Sequence, residues 1–345
     1  MDAQQQIAER KERWQRLLDP QQAPTSLYLI HYTPDEEPQP HLWLRCRQER
    51  IEWSWRKYQR QLARLEWLAD DALPYLDMLT GTEIFAEAFG CPVYRPEDTN
   101  PYARPLITQA RQVSALKVPE VSATPLAALF EMADELRRRA GPQALVRLVD
   151  VQSPMDIAAL IWDKNTFYTA MLETPEAVKE LAAKVSQLWT QFLDEWLRRY
   201  GPDFVAHFPT YYMPKGVTLS EDEIGAVSPA LYEEFFLPEL QAISDHFGGL
   251  GLHCCAHARH QWAGLKRIPN LRLLNLVQPV EVLRQAWDYF AGLPQMHSWS
   301  GEGDPWTWPA QHPKGSRMVM EMRAETRDEA LMLAERMAAA CGRSL

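Results

Sequence analysis

From about residue 71 onward, short apolar runs alternate with amphipathic helical patterns, and this alternation limits the fold more than any other feature. The runs are ALPYLDML, ALVRLVDV, GVTL, LGLHCC, LRLLNL, LPQMHSW and SRMVMEM. Strands that alternate with helices are typical of a parallel sheet covered by helices. Roughly seven or eight such units fit a closed barrel better than an open sheet, and no GxGxxG or P-loop stretch marks a nucleotide-binding sheet. We therefore predict an α/β protein in which residues 71–345 form a (β/α)8 TIM barrel.

Residues 1–70 have a different pattern, which is mostly helical and is interrupted by a proline-rich stretch from Pro34 to Pro40. Apolar residues recur every three or four positions from Ile51 to Leu65, as in an amphipathic helix. We predict that this region is an N-terminal helical extension packed on the barrel.

The composition limits the kinds of partner that the protein is expected to bind. The chain has 345 residues, 46% of them hydrophobic, and a formal net charge of −10, which argues against nucleic acid or an anionic membrane as the main partner. No apolar run is long enough for a membrane span, and the first residues lack the apolar core of a signal peptide. Five scattered cysteines do not form a disulfide framework. We expect a reduced, cytoplasmic protein with a small-molecule substrate, and a homodimer is left open.

The stretch LGLHCC contains the strongest candidate for a metal site. Read as a strand, it places His253 and Cys255 on one face near the barrel mouth and Cys254 on the other, because side chains alternate along a strand. An imidazole and a thiolate two residues apart suit Zn²⁺, which favours nitrogen and sulfur ligands. The alternative is a buried strand end with a hydrogen-bonded histidine and an inert thiol.

A catalytic zinc normally has three protein ligands, so a third residue is needed. Glu321 stands in the apolar run RMVMEMR, where a carboxylate needs a partner: a metal, Arg323 or a histidine. Cys341 offers a thiol, but it lies on the apolar stripe of the last helix, where a free cysteine usually packs in the core. Glu321 is therefore our candidate for the third ligand.

Other candidate residues lie at or after the predicted strand ends, where barrel enzymes place their chemistry. Asp150 ends VRLVD and Asp222 follows VTLSE, and both are candidates to bind substrate or transfer a proton. Helix capping or a loop ion pair is the alternative role for each. His207, Tyr211 and His297 are candidates to line the mouth and bind substrate.

Several segments, in this order and spacing, resemble one known superfamily. They are VDVQSPMDIAALIW followed by TPEAVKELAAKV, then VTLSEDEIGAVSP, VSPALYEEFFLPEL and ISD…HCCA. Residues 71–340 resemble the uroporphyrinogen decarboxylase-like superfamily, and are nearer to its zinc-dependent cobalamin:coenzyme M methyltransferases than to the decarboxylases. That resemblance implies a TIM barrel, with His253 and Cys255 as zinc ligands and a corrinoid as methyl donor.

The chain departs from both branches in recognisable ways. The methyltransferases take a further cysteine from just after the last strand, whereas this region reads MVMEMRAET, with Glu321 or Arg323 nearest. The decarboxylases carry an arginine-rich substrate loop with the pattern RQAGR, which LWLRCRQERIEW does not match. The leading hypothesis is thus a zinc-dependent methyltransferase that moves a methyl group from a corrinoid, a corrinoid protein or another donor to a thiol.

Two alternatives belong to other functional classes. One is a metal-free decarboxylase or lyase acting on a non-porphyrin polycarboxylate. The other is a non-catalytic barrel that binds a corrinoid or another small molecule. Metal content distinguishes the first from the methyltransferase, and turnover with a panel of methyl donors distinguishes the second.

Overall fold

The computed structural model describes residues 3–343, in which mainly parallel strands alternate with helices and β3–β4 and β6–β7 form short antiparallel pairs. The strands are β1 Leu27–Tyr32, β2 Tyr75–Leu76, β3 Val93–Tyr94, β4 Tyr102–Ala103, β5 Leu145–Val146, β6 Phe204–Val205, β7 Tyr212–Met213, β8 Val217–Ser220, β9 Leu250–Cys254, β10 Leu271–Leu276, β11 Pro294–Gln295 and β12 Arg317–Ala324. The helices are α1 Ala3–Leu18, α2 Arg47–Leu65, α3 Ile84–Ala88, α4 Ala127–Ala140, α5 Pro154–Ile161, α6 Lys164–Glu173, α7 Pro175–Tyr200, α8 Pro229–Leu231, α9 Leu237–Phe247, α10 Trp262–Leu265, α11 Val280–Tyr289 and α12 Arg327–Ala340. A π-helical turn, Tyr232–Phe236, joins α8 to α9.

Most of the strands pair in parallel with a neighbour in the sheet. One sheet has the order β1-β12-β11-β10-β9-β8, and β2 pairs with β5. Single parallel bridges from Arg147 to Val205 and from Gln152 to Ser220 connect the end of β5 to β6 and to β8. The predicted α/β class with a parallel sheet is therefore confirmed. Among the helices of residues 3–343, none is both long and apolar enough to span a membrane.

The pairing does not close into a ring, which corrects the expected continuous barrel. Within the described residues, β1 and β2 are not hydrogen-bonded to each other. We call this gap between β1 and β2 the seam. On the β1 side, the amides of Tyr28 and Ile30 donate to the carboxylates of Asp71 and Asp70, at 2.9 and 3.0 Å. Carboxylates thus take the place of a neighbouring strand.

The other side of the seam is completed by α2. The amide of Tyr75 donates to Gln61 Oε1 at 3.0 Å, and the amide of Asp77 donates to Ser54 Oγ at 2.7 Å. Buried amides need acceptors, and here two helix side chains supply them. The predicted amphipathic helix therefore lies at the edge of β2, where it completes the wall.

The N-terminal region differs from the predicted helical extension because it contributes a strand. α1 and α2 are helices, but β1 lies beside β12 in the sheet. Leu27 and Leu29 belong to the main core, whereas Tyr28 and Ile30 pack with α12, which is the alternation expected of a strand. A search for helical periodicity does not detect so short a period-two segment.

α1 covers the N-terminal ends of the strands. Trp14 Nε1 donates to the Asp71 carbonyl at 2.8 Å, and Lys11 pairs with Asp203 just before β6 at 2.7 Å. Arg317, the first residue of β12, donates to the Leu17 carbonyl at 2.9 Å. The C-terminal strand ends are left at the opposite face, where parallel α/β proteins place their sites.

Substitution of Arg10 tests how far the stability of the seam depends on α1. Its buried guanidinium donates to Asp70 Oδ1 at 2.8 Å and to the carbonyls of Leu68 and Ala72. Arg10→Met leaves the Asp70 carboxylate buried without its cation, so we expect a loss of about 3–5 kcal/mol in the free energy of unfolding. Urea denaturation measures this.

Arg16→Met is the matched control, because Arg16 forms an exposed ion pair with Glu12 on the same helix. Such pairs contribute about 0–1 kcal/mol. Equal losses in the two variants would show that Arg10 does not stabilise the seam.

Candidate metal and active site

Three possible metal ligands converge where β8 and β9 end. Asp222, His253 and Cys255 each offer one ligand atom, and these atoms all lie within 4.8 Å of one another. Ser220 of β8 pairs with His253 of β9, so the residues that follow each strand emerge side by side. The structure thus brings the predicted pair His253 and Cys255 together with Asp222, which the sequence indicated only for substrate or proton chemistry.

His253 is oriented by the next strand. Its Nδ1 lies 2.5 Å from Asn275 Oδ1, and Asn275 is its register partner on β10. The Asn275 amide nitrogen donates to the Met296 carbonyl, which fixes the amide oxygen toward the histidine. His253 Nδ1 must therefore carry the proton, and Nε2 keeps the lone pair that a metal needs. Burial lowers the pKa of His253, which also favours the neutral ring.

Cys255 and Asp222 are joined directly. The Cys255 amide donates to Asp222 Oδ1 at 2.6 Å, and the thiol lies 3.0 Å from Oδ2. Burial, and then the Asp222 carboxylate, raise the pKa of Cys255 to about 12. A divalent cation between them would reverse this effect, because it stabilises thiolate and carboxylate together. Cys254 is fully buried in the core and lies outside this group.

The Asp222 loop is held from below by α5. Asp156 accepts hydrogen bonds from the amides of Asp222 and Glu223, both at 2.9 Å. Asp156 lies in the first turn of the helix, and Ser153 caps that helix through the Asp156 amide. The neighbouring Glu221 is fully buried, and burial followed by the Asp156 charge raises its pKa. A neutral Glu221 beside Asp156 avoids two buried like charges.

One aromatic side chain adjoins this cluster. The ring of Phe208 lies edge-to-face with His253 at a centroid distance of 4.7 Å, although 52% of Phe208 is exposed. It belongs to the turn between β6 and β7. A large exposed apolar ring beside polar ligands provides one wall for a substrate and limits water at the site.

Asp150 and His207 face each other at the strand ends. Their closest atoms, Asp150 Oδ2 and His207 Nε2, are 3.5 Å apart. Burial raises the pKa of Asp150 to about 6, with a further contribution from Asp222. Burial, and then the Arg147 charge, lower the pKa of His207 to about 3, so this ring is neutral at pH 7.

Glu321 pairs with a histidine, which was one of the three partners considered for it. His31 Nε2 lies 2.8 Å from Glu321 Oε1 across the β1–β12 pair. Arg323 instead pairs with Glu36 at 2.7 Å. Among the described residues, Asp222 and not Glu321 lies with His253 and Cys255.

Two other predicted residues, Tyr211 and His297, are held within the protein. The Tyr211 ring is buried, and its hydroxyl is packed against the backbone of Gly251. His297 is buried, its Nδ1 accepts from the Leu276 amide at 3.0 Å, and its Nε2 bonds Gln295. Both ring nitrogens are therefore used to support the strands.

Cys341 ends α12 and packs in the smaller apolar cluster between that helix and β1. Burial raises the pKa of its thiol to about 11. This placement agrees with the packing role suggested by its position on the helix stripe.

Sequence reasoning missed Asn275, Phe208, Asp156 and His31. A polar residue near the end of the apolar run LRLLNL was a usable signal for Asn275. Asp156 follows the helix start Ser153-Pro154, where a capping role was also legible. His31 was missed because β1 was missed, and nothing local marks Phe208.

Comparison with known proteins agrees with the fold and extends it to a family. The sequence model of uroporphyrinogen decarboxylase (URO-D) matches residues 66–282, which is more than half of the chain. The chain belongs to the URO-D family. The predicted family is thereby confirmed. No curated protein sequence matches significantly.

The fold of this URO-D-family chain is similar to that of a methyltransferase from Methanosarcina mazei, with a TM-score of 0.66 and 11% identity over 96% of this chain and 98% of the other. Apo and metallated structures of the homocysteine methyltransferase MmuM from Escherichia coli have TM-scores of 0.24, with 14% and 11% identity. Each match spans 66% of this chain, and it spans 93% of the apo MmuM chain and 89% of the metallated one. At that score the MmuM likeness carries no argument.

The raised pKa of Asp150 has a measurable consequence for stability. The folded protein holds the Asp150 proton more tightly than the unfolded chain, so this residue lowers stability as pH rises from about 4 to about 6. Asp150→Asn should remove that fall. The free energy of unfolding of the variant, measured against that of the wild type, should therefore be roughly 2–3 kcal/mol higher at pH 7 than at pH 4. Urea denaturation at a series of pH values measures it.

Asp288→Asn serves as the control, because Asp288 is exposed on α11. It should leave the pH profile of stability unchanged. A wild-type profile in Asp150→Asn would contradict the assignment.

Proposed function

We propose that this URO-D-family protein is a zinc-dependent methyltransferase that moves a methyl group from a corrinoid, or another methyl donor, to a thiol. The observation that carries the proposal is the convergence of Asp222, His253 and Cys255 within 4.8 Å at the strand ends. The shared fold with a methyltransferase from Methanosarcina mazei supports it.

The donor set suits zinc. One imidazole nitrogen, one sulfur and one carboxylate oxygen are all ligands that zinc accepts, and three protein ligands leave a fourth position open. His253 has its Nε2 free because Asn275 binds Nδ1, and Asp222 is held by backbone amides. Zinc bound here would lower the pKa of a substrate thiol, so that a thiolate exists at neutral pH.

The reaction forms a bond from the thiol sulfur to the methyl carbon and breaks the bond from that carbon to the donor, which keeps the electron pair. The thiol proton must leave. Asp150, with a pKa of about 6, is ionised at pH 7 and can accept it near neutral His207. The Phe208 ring beside His253 limits water that would compete with the thiol.

One observation favours a second candidate, a metal-free decarboxylase or lyase acting on a carboxylate substrate. Asp77 is buried and binds both Arg147 Nη1 and Lys57 Nζ, at 2.8 and 2.7 Å. A buried carboxylate that holds two cations at the strand ends is the kind of group that could bind and polarise a carboxylate substrate. Activity without metal would support this candidate, and binding without turnover would support the non-catalytic barrel.

Zinc content tests the ligand set. We expect about one zinc per purified chain, because three ligands converge on one point. His253→Ala, Cys255→Ser and Asp222→Asn should each weaken zinc affinity by more than the ~10–100-fold typical of outer residues. Elemental analysis after dialysis measures the content.

The matched controls are Cys341→Ser and Glu321→Gln, which should retain zinc. Loss of zinc in Glu321→Gln would restore Glu321 as a ligand in place of its ion pair with His31. Loss in Cys341→Ser would instead make the distal thiol a ligand.

Turnover tests the reaction itself. The zinc-loaded protein is incubated with methylcobalamin and a panel of thiols, and methyl thioether is quantified. We expect at least one thiol to be methylated, and methylation to vanish in Cys255→Ser. Zinc binding without turnover on any donor would overturn the proposed reaction and leave the metal site standing.

Substitutions of Asn275 test whether its hydrogen bond orients the His253 ring. Asn275→Ala removes the acceptor that holds the Nδ1 proton, so zinc affinity should fall by ~10–100-fold. Asn275→Asp keeps an acceptor oxygen and should retain most of the affinity. Competition with a chromogenic chelator measures both, and equal affinities in all three proteins would show that the hydrogen bond does not orient the ligand.

A further inference from the structure

A cavity lies in the seam, and its lining does not include the His253 cluster. Its volume is about 470 Å³, within the range of small-molecule sites. It is lined by residues of β1 and α2, by Tyr75 of β2, by Arg147 just after β5 and by the β6–β7 turn, with Trp14 of α1 among its walls. Thr210 and Tyr211 of that turn line it, whereas Phe208 of the same turn packs on His253.

Two cations at the inner end of this cavity bind the same buried carboxylate. Lys57 Nζ and Arg147 Nη1 both bind Asp77 Oδ2, at 2.7 and 2.8 Å, and Asp77 is 1% exposed. Two cations therefore face one carboxylate. Asp150, which also interacts with Arg147, is turned toward His207.

The other arginines of the cavity lining are already paired, so Lys57 and Arg147 are the lining cations that share a single carboxylate. Each remaining arginine of the lining has a carboxylate partner: Arg10 with Asp70, Arg60 with Glu37, Arg64 with Asp35 and Arg323 with Glu36. Asp71 is bound by Arg13 and Arg343.

The Tyr75 ring lies in the positive electrostatic potential of Lys57 and Arg147. Lys57 Nζ lies 4.9 Å from the centre of its ring, and the Arg147 guanidinium lies 5.4 Å away. Burial alone would raise the pKa of this phenol, yet Lys57 and Arg147 lower it below its ordinary value. Such a field stabilises any anion that enters.

Lys57 is the group able to bind a ligand directly. The N–H groups of Arg147 are directed at Asp77, Thr210 and the carbonyls of Ala206 and His207. An ammonium has three donors, and at most two of those on Lys57 are used, by Asp77 and Tyr75. Its side chain is 25% exposed, so a free donor can reach the cavity.

Apolar surface surrounds this charge. Lys57 Nζ lies 4.8 Å from the centre of the Trp53 ring, and Trp53, Tyr75 and Leu29 all line the cavity. Trp53 Nε1 is buried without a hydrogen-bond partner among the described residues. A ligand with a hydrophobic body and one anionic group would meet both the rings and the Lys57 ammonium.

We propose that the seam cavity is a binding site for a small organic monoanion, with its charged group on Lys57 and its apolar body against Trp53 and Tyr75. The carboxylate of an aryl or alkyl acid has this chemistry. The site is separate from the proposed zinc centre and does not depend on the proposed methyl transfer.

Calorimetric titration of the full chain with benzoate, phenylacetate and hexanoate tests the site, after the metal is removed with a chelator. At least one acid should bind with about one site per chain, while benzylamine, of similar shape and opposite charge, should not. Binding of no acid, or equal binding of benzylamine, would overturn the proposal. Tight binding of acetate or inorganic phosphate instead would show that the apolar walls play no part and would overturn it as well.

Variants locate the anion. Lys57→Met should raise the Kd for the acid about 10-fold or more, because a charge-assisted hydrogen bond is lost, whereas Lys57→Arg keeps the charge and should restore binding. Lys117→Met makes the same change at an exposed position and should bind as wild type. Thermal melts confirm that each variant is folded, and unchanged binding in folded Lys57→Met would contradict the site.

His253→Ala separates this inference from the proposed function. The acid should bind this variant as it binds the wild type, because the seam cavity does not include His253. Loss of binding there would place the anion at the metal cluster and overturn the seam site. Failure of methyl transfer, by contrast, would leave the seam site untouched.

Discussion

The carboxylates of Asp70 and Asp71 hold the part of the wall where strand pairing fails. They accept the amides of Tyr28 and Ile30, which no neighbouring strand receives. Buried carboxylates need cations or hydrogen-bond donors beside them, and α1 supplies Arg10 for Asp70. The position of α1, the edge of β1 and the chain leading into β2 therefore depend on one another.

The candidate metal site is built by three adjacent strands. β8 carries the loop of Asp222, β9 ends at the pair His253 and Cys255, and β10 supplies Asn275 in register with the histidine. Parallel strands bring their C-terminal ends to one face, so residues far apart in sequence become neighbours. The helix below adds Asp156, which fixes the loop through backbone amides.

Much of the fold was legible because its signals are local. Alternating strands and helices indicated the parallel α/β class, and the strand alternation around His253 and Cys255 indicated which residues share a face. The third member of the cluster was not legible, because Asp222 is brought there by pairing of β8 with β9 and by Asp156. Glu321 was expected at the metal because its real neighbour, His31, lies on the strand that the sequence analysis missed. Ring closure was overestimated for the same reason, since β1 and its carboxylate partners were not recognised.

A backbone ladder fixes the spacing of two strands at about 4.8 Å, whatever the side chains are. At the seam the side chains of Asp70 and Asp71 reach β1 beside a single backbone bond from the Asp71 amide to the Tyr28 carbonyl, so exchange of one side chain can change the spacing there without breaking the sheet. The wall is thus adjustable along this flank. The shape of the seam cavity can change there while the strands that carry the candidate metal site stay as they are.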